Sequence, residues 1–226
     1  MVSANLIIED IQQILSVIPF TLGTALIILI WGVLLGLLIS IIKIRHIPIA
    51  EQLIRIFTDY TRGIPLIIHL YIANIVIPII LENVSGVLGW NITADSLFIL
   101  VTAYSIYVSV GQSENIRGAF SSVETGQWDA AYACGMNGLQ TLKRIVIPQG
   151  LAVALPVILN NYLGIIKGLS LAFTIGVTDI LAKARLASVQ NYGYLEAYIS
   201  AALVYWVLCA ALSLLFDRFE KKIKKW

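Results

Sequence analysis

Hydrogen-bonding and charged side chains are scarce in this sequence, so their positions among apolar neighbours are informative. Thr102, Ser105, Ser109 and Gln112 recur at i, i+3, i+7 and i+10, which is one stripe of a helix, with Tyr104 and Tyr107 beside it. His69 and Asn74 fall in a second apolar stretch, and Asn160, Asn161 and Lys167 in or just after a third. Glu114 and Arg117 stand three residues apart. Such groups can select and hold a polar solute reversibly. Covalent or metal chemistry needs tighter clusters, a nucleophile beside a base or a set of His, Cys, Asp and Glu ligands. His46 and His69 are isolated, and Cys134 and Cys209 sit in no CxxC or Cys/His pattern. No G-x-x-x-x-G-K-[ST] stretch is present to cradle a nucleotide's phosphates. Each polar group also has a purely structural reading. The Ser/Thr stripe can pack helices together, and His69 can be a hydrogen-bonded core residue. Lys167 can snorkel to an interface, Glu114 and Arg117 can pair with each other, and Arg62 can face either a pathway or lipid headgroups.

The elements that must position these groups are membrane spans. The chain is 59% hydrophobic and 12% charged, against about half and a quarter in soluble domains. A net charge of +2 gives no nucleic-acid footprint. Five segments approach the ~20 apolar residues that cross a bilayer, over 18–42, 65–81, 97–111, 150–166 and 198–216. The first carries Gly23, Gly32 and Gly36, which allow close helix approach. Gly63-Ile64-Pro65 sets a helix break before the second.

Basic residues accumulate in cytoplasmic loops. Lys43, Arg45, Arg55 and Arg62 lie between the first two spans; Arg117, Lys143 and Arg144 lie between the third and fourth; Arg218, Lys221, Lys222, Lys224 and Lys225 follow the fifth. These are twelve of the fifteen Lys and Arg, which predicts an N-terminus outside and a C-terminus inside. The C-terminal lysines suit anionic headgroups. Residues 1–17 hold no Lys or Arg, unlike a secretory signal, and Leu6, Ile7, Ile11, Ile14, Leu15 and Ile18 outline an amphipathic helix on the membrane surface. The stretch from Lys167 to Leu195 is too polar to cross and reads as a re-entrant segment plus an external loop. No repeat or low-complexity tract divides the remainder, so 18–226 reads as one domain.

The loop at 112–149 is too patterned to be a linker. Trp128, Ala131, Tyr132 and Met136 form an apolar face, and Gly135 and Gly138 interrupt it. Leu139, Leu142 and Ile145 resume the helical pattern, and Pro148 ends it. Such a helix is covered either by a partner's groove or by its own bundle and the headgroups. Asp129-Ala130-Ala131, three residues, Gly135, nine residues, Ile145, one residue, Ile147-Pro148 resembles the EAA loop of bacterial ABC importer permeases, with Asp for Glu and Ile for Leu. Arg62-Gly63-Ile64-Pro65-Leu66, Glu114-Asn115-Ile116-Arg117-Gly118 and Ser122-Val123-Glu124-Thr125-Gly126-Gln127 are similar to the polar amino-acid branch. So is Lys167-Gly168-Leu169-Ser170-Leu171, although that branch usually has Lys-Asp-Thr-Ser-Leu. Ser170-Leu171-Ala172-Phe173-Thr174-Ile175-Gly176-Val177 and Tyr194-Leu195-Glu196-Ala197-Tyr198-Ile199 are similar to cystine permeases.

The resemblance implies an all-α integral membrane fold of the type-I importer kind, with alternating access driven from outside the chain. It implies that Asp129, Ala130, Ala131, Gly135 and Met136 form a coupling helix docked on a cytoplasmic ATPase dimer, which holds the ATP and Mg2+. It further implies a second permease chain, identical or paralogous, and an external substrate-binding protein in a bacterial plasma membrane. A zwitterionic amino acid needs a cation and an acceptor. Lys167 is the expected cation and Glu114 the expected acceptor, with Thr102, Ser105, Ser109, His69, Asn74 and Asn161 along the pathway. The alternative is an ion-gradient-driven transporter or channel, which needs carboxylates within its spans. A membrane-embedded enzyme would need clustered acid and base groups. The spans offer neither.

Overall fold

The computed structural model describes residues 3–89 and 92–223, and these are helical almost throughout. The long helices are α2 (Ile18–Ile44), α4 (Leu66–Leu88), α5 (Ser96–Ser121), α8 (Ile147–Gly168) and α10 (Tyr194–Ile223). All five segments expected to cross lie in these helices, each long and apolar enough to span a bilayer. The shorter helices are α1 (Ala4–Leu15), α3 (Pro48–Gly63), α6 (Thr125–Ala133), α7 (Gly138–Thr141) and α9 (Ile180–Asn191).

The centre of the bundle is the α2–α5 pair. A Cβ on Gly32 would lie 2.7 Å from Val108 Cγ1, and one on Gly36 would lie 2.9 Å from the Ser109 carbonyl oxygen. Glycine at these two places lets the backbones close on each other. Gly23 has open space instead, so its expected packing role does not appear. Around this pair, Ile28, Leu70, Leu100, Tyr104, Ile166 and Leu169 form the main core. Of α4 only Leu70 is buried, while Ile72, Ile75, Val76, Ile79 and Ile80 face outward.

Helix boundaries follow local chemistry. Pro48 opens α3, and Ile64 takes the extended conformation that the following proline favours, so α3 and α4 break where Gly63-Ile64-Pro65 predicted. Asp95 caps α5 by accepting from the Phe98 amide at 2.7 Å. A π-helical turn over Leu142–Val146 leads into α8, whose second residue is Pro148. Proline donates no N–H and crowds the carbonyl four residues back, which accounts for the widened turn.

Two expectations need correction. The segment 112–149 is not one loop, because α5 runs on to Ser121 before α6 begins. Between the first two spans lies α3, with Thr58 and Thr61 buried. After α8 the backbone tightens into a 3-10 helix over Leu169–Ile175, buried at Leu169, Ala172 and Ile175, and the expected external loop is largely α9. Asp179 caps α9, accepting from the Ala182 amide at 2.9 Å and from the Tyr205 hydroxyl at 2.8 Å.

The amphipathic α1 forms as expected. It also docks on α9 and α10, where Ile14 joins Ile180, Ala184, Ala197 and Ala201. The Ser200 hydroxyl donates to the Ile7 carbonyl at 3.1 Å there. Lys224 and Lys225, expected at the headgroups, lie outside the described residues.

Candidate functional site

The helices assemble three polar features. The first is the α6–α7 hairpin. After Ala133 the chain leaves α6 through Gly135, at φ +80°, in the left-handed region that suits glycine. The Gly135 amide donates to the Tyr132 carbonyl at 2.9 Å, and the Met136 amide to the Ala131 carbonyl at 3.0 Å. This pair of bonds is the Schellman arrangement. Asn137 then caps α7. Its Oδ1 accepts from the Gln140 amide at 2.9 Å, while Gln140 Oε1 accepts from the Asn137 amide at 2.9 Å. Two closing motifs in succession fix the angle of the hairpin. Only Ala131 of α6 is buried; Asp129, Ala130 and Gly135 are exposed, and Met136 is half-buried. Tyr132 and Leu139 expose their apolar surface.

The second feature is an ion cluster at the same end of the bundle. Glu114 Oε1 lies 2.9 Å from Lys43 Nζ and 3.4 Å from Arg62 Nη2, and Oε2 lies 2.8 Å from Arg117 Nη2. One carboxylate therefore ties α5 to α2 and α3. The expected Glu114–Arg117 pairing is present, and two further cations join it. Glu114 is thus already engaged and not a spare acceptor for a solute's ammonium.

The third feature is a cavity of about 360 Å³ between α3, α5 and α8. Its polar lining is Thr61, Arg62, Tyr104, Tyr107, Gln112 and Asn161. His69 stands behind it, ring to ring with Tyr107 at 5.2 Å and with Tyr60 at 5.5 Å. His69 Nδ1 lies 3.3 Å from the Pro65 carbonyl oxygen.

Of the residues proposed for a pathway, the structure brings Asn161 to this cavity and His69 against its wall. Ser105 and Ser109 are both buried and off the cavity lining, and their backbone carbonyls border Gly32 and Gly36 of α2. The Ser105 hydroxyl donates to the Ile28 carbonyl at 3.4 Å, and that of Ser109 to the Ile106 carbonyl at 2.6 Å. Their stripe packs helices at these two positions. Thr102 is half-buried and off the lining, and Asn74 is exposed on α4. Lys167 lines a different hollow of about 300 Å³, with Ser170, Tyr198 and Tyr205. The reason is helical phase: six residues beyond Asn161 is about 240° around α8. Tyr104, Tyr107 and Arg62 are lining residues that the pathway reading did not select. Their signal was present in the sequence, since the two tyrosines flank the stripe and Arg62 precedes the helix break.

Residues 32–225 match the family described as the inner membrane component of binding-protein-dependent transport systems. The chain belongs to this family. Among curated relatives, the L-cystine transport system permease TcyL of Bacillus subtilis is 32% identical over 98% of this chain and 91% of its own. The probable amino-acid permease YxeN of the same organism is 30% identical over 96% and 94%. The arginine transport permease ArtQ, also from B. subtilis, is 30% identical over 96% and 95%. A solved amino acid ABC transporter with histidines superposes with a TM-score of 0.81 at 26% identity, covering 98% of this chain and 99% of that one. The inward-facing methionine transporter MetNI superposes at 0.66 with 15% identity, a likeness of fold alone.

This permease is therefore a transport subunit and not an enzyme, and its fold is that of ABC importer permeases. Dependence on a binding protein brings a substrate-binding partner, and an ABC importer brings an ATPase. The family provides a setting for the α6–α7 hairpin. The permease carries at one end of its bundle a doubly capped turn on which Tyr132 and Leu139 are exposed.

Proposed function

We propose that this permease moves a polar amino acid, L-cystine foremost, into a bacterial cell by alternating access, and that α6 and the Gly135 turn couple the spans to the ATPase. The observation that carries the coupling role is the geometry of the hairpin. A Schellman turn followed directly by a capping box makes a stiff lever, exposed at Asp129, Ala130 and Tyr132. Small side chains at 130 and 131 permit close approach by a groove. Movement of the lever reaches α5 through Ser122–Glu124 and α8 through the π-helical turn.

Charge supports the orientation. Lys43, Arg45, Arg55, Arg62 and Arg117 share the end that carries the hairpin, while Lys167, Lys183 and Arg185 sit toward the other. That end is the cytoplasmic one, so the N-terminus lies outside and the C-terminus inside. The outward apolar face of α4 suits a second permease chain, identical or paralogous, with which the pathway is completed. ATP and Mg2+ belong to the ATPase dimer beneath.

Names among the relatives favour amino acids as the cargo, and cystine recurs in them. The deciding experiment is co-expression with the ATPase and binding protein, followed by purification on a tag carried by this chain. Stoichiometric recovery of the ATPase, with binding-protein-dependent uptake of labelled cystine, supports the proposal. An isolated chain, or uptake that persists without ATP, refutes it.

A further inference from the structure

A cation near the end of a span is costly unless it is paired, hydrated or held against headgroups. Lys167 lies in the last turn of α8, at the end of the bundle away from the hairpin. Among the described residues it has no ion-pair partner. The hollow of about 300 Å³ that it lines is shaped by four elements. Ser170 comes from the 3-10 helix and Leu181 from α9, while α10 supplies Tyr198, Ala201, Ala202 and Tyr205. The two alanines stand between the two tyrosines, so methyl groups leave space that larger side chains would fill.

No acid of the fold answers this cation. Asp179 accepts from the lining Tyr205 hydroxyl at 2.8 Å, but it is buried, also holds the Ala182 amide, and makes no ion pair with Lys167. The hollow also opens sideways. Tyr198, Ala202 and Trp206 recur at i, i+4 and i+8, one line along α10, and all three are exposed. Exposed residues of a span lie against lipid, and exposed tyrosines such as Tyr194 and Tyr198 are typical of the headgroup level. A cation, two free hydroxyls and an apolar floor therefore meet where phosphates give way to acyl chains.

We propose that this hollow seats one phospholipid with an anionic headgroup. Lys167 pairs with the phosphate, the Ser170 and Tyr198 hydroxyls donate to its oxygens, and an acyl chain follows Ala202 and Trp206. A zwitterionic headgroup would bring its own ammonium beside Lys167, so phosphatidylglycerol is preferred to phosphatidylcholine. The inference concerns the lipid-facing side of the bundle and stands whatever the permease carries.

The test uses the full-length permease, with whatever ATPase it carries, stripped of lipid in detergent. It is offered an equal mixture of phosphatidylglycerol and phosphatidylcholine, and native mass spectrometry counts the lipid retained. One phosphatidylglycerol per permease chain is expected, favoured about fivefold over phosphatidylcholine, the weight of one cation at an anionic surface. Lys167→Gln is expected to erase that preference, and Lys167→Arg to keep it. Arg185→Gln is the control for charge in general, since Arg185 lies over the Phe173 ring at 4.6 Å, and it is expected to keep the preference too. Ala202→Trp fills the hollow and is expected to lower retention of both lipids. Glycerol 3-phosphate in large excess is expected to displace nothing.

Equal retention of the two lipids by the wild type, or a preference unchanged in Lys167→Gln, overturns the inference. So does an equal loss in Arg185→Gln, which would report charge without a site, or displacement by glycerol 3-phosphate, which would report a site for soluble anions. An Ala202→Trp variant that keeps its lipid, or that changes oligomeric state instead of losing lipid, also overturns it, since a second copy would then cover the hollow. If Ala202→Trp does not assemble, the wild-type preference and Lys167→Gln decide, because the Lys167 side chain is exposed.

Discussion

Lys43 of α2 and Glu114 of α5 meet at 2.9 Å, at the end of the bundle that carries the α6–α7 hairpin. Their side chains are only 18% and 28% exposed, so water screens this pair less than it screens the outer partners Arg62 and Arg117. Glu114→Gln keeps the shape and removes the charge, leaving three cations to repel one another. The expected loss is about 1–2 kcal/mol, read as a fall of about 2–8 °C in the thermal midpoint in detergent. Glu114→Asp keeps the charge on a shorter side chain, so its midpoint should fall between those of wild type and Glu114→Gln. An unchanged midpoint for Glu114→Gln would mean that the cluster adds nothing to stability.

Packing of α2 on α5 gives a prediction with an internal control. A Cβ at Gly36 meets backbone atoms of α5 at 2.9 Å, and backbone cannot rotate away. Gly36→Ala should therefore destabilise by about 1–3 kcal/mol, the usual cost of overpacking. Gly23→Ala meets nothing within 4 Å and should be neutral or slightly stabilising. Parallel melting curves of the two variants check the contrast, and equal effects would contradict the close approach.

Asp179 does two jobs at the start of α9, capping the helix and accepting from Tyr205 of α10. Asp179→Ala removes both bonds and should lower stability by about 1–2 kcal/mol. Burial pushes the pKa of this carboxyl up. The folded state therefore holds its proton more tightly than the unfolded chain does. This group favours folding below the unfolded carboxylate pKa, and that contribution fades as pH rises through the raised folded value. Asp179→Asn keeps an acceptor and drops the charge, so it should match or exceed wild type in midpoint at neutral pH. A large loss for Asp179→Asn would show that the negative charge itself is required.

Gly135 sits at φ +80° with no neighbour within 4 Å of a Cβ, so backbone strain, not collision, is what a substitution introduces. Strain of about 1–2 kcal/mol is expected for a non-glycine residue, and more for a β-branched one. Gly135→Val should abolish uptake while leaving membrane insertion and expression intact, and Gly135→Asn should retain part of the transport. Uptake assays alongside membrane-fraction blots distinguish these outcomes. Normal transport by Gly135→Val would remove the turn from the mechanism.

Much of this architecture was legible in the residues. The spans declare themselves by length and hydropathy, and Gly32 and Gly36 by their four-residue spacing on an apolar helix. The turn at Gly135 was readable because few residues other than glycine hold that conformation. Helices α3 and α9 were harder to see, since one is rich in charge and the other in alanine, and neither has the length of a span. The cavity was the least legible. Whether Ser105 faces a pathway or α2 depends on which neighbour α5 selects. The displacement of Lys167 from Asn161 depends on the phase of α8 across only six residues. Tertiary packing sets both, and the polar stripe alone could not decide between packing and transport.

The central claim places the hairpin at the ATPase, and a native thiol reports on it. Cys134, the C-cap just past α6, is exposed. In a Cys209→Ala background, a membrane-impermeant maleimide is applied to intact cells and to inside-out vesicles. The account predicts labelling of Cys134 only in inside-out vesicles, and protection when the ATPase subunit is present. Labelling of Cys134 in intact cells would contradict it.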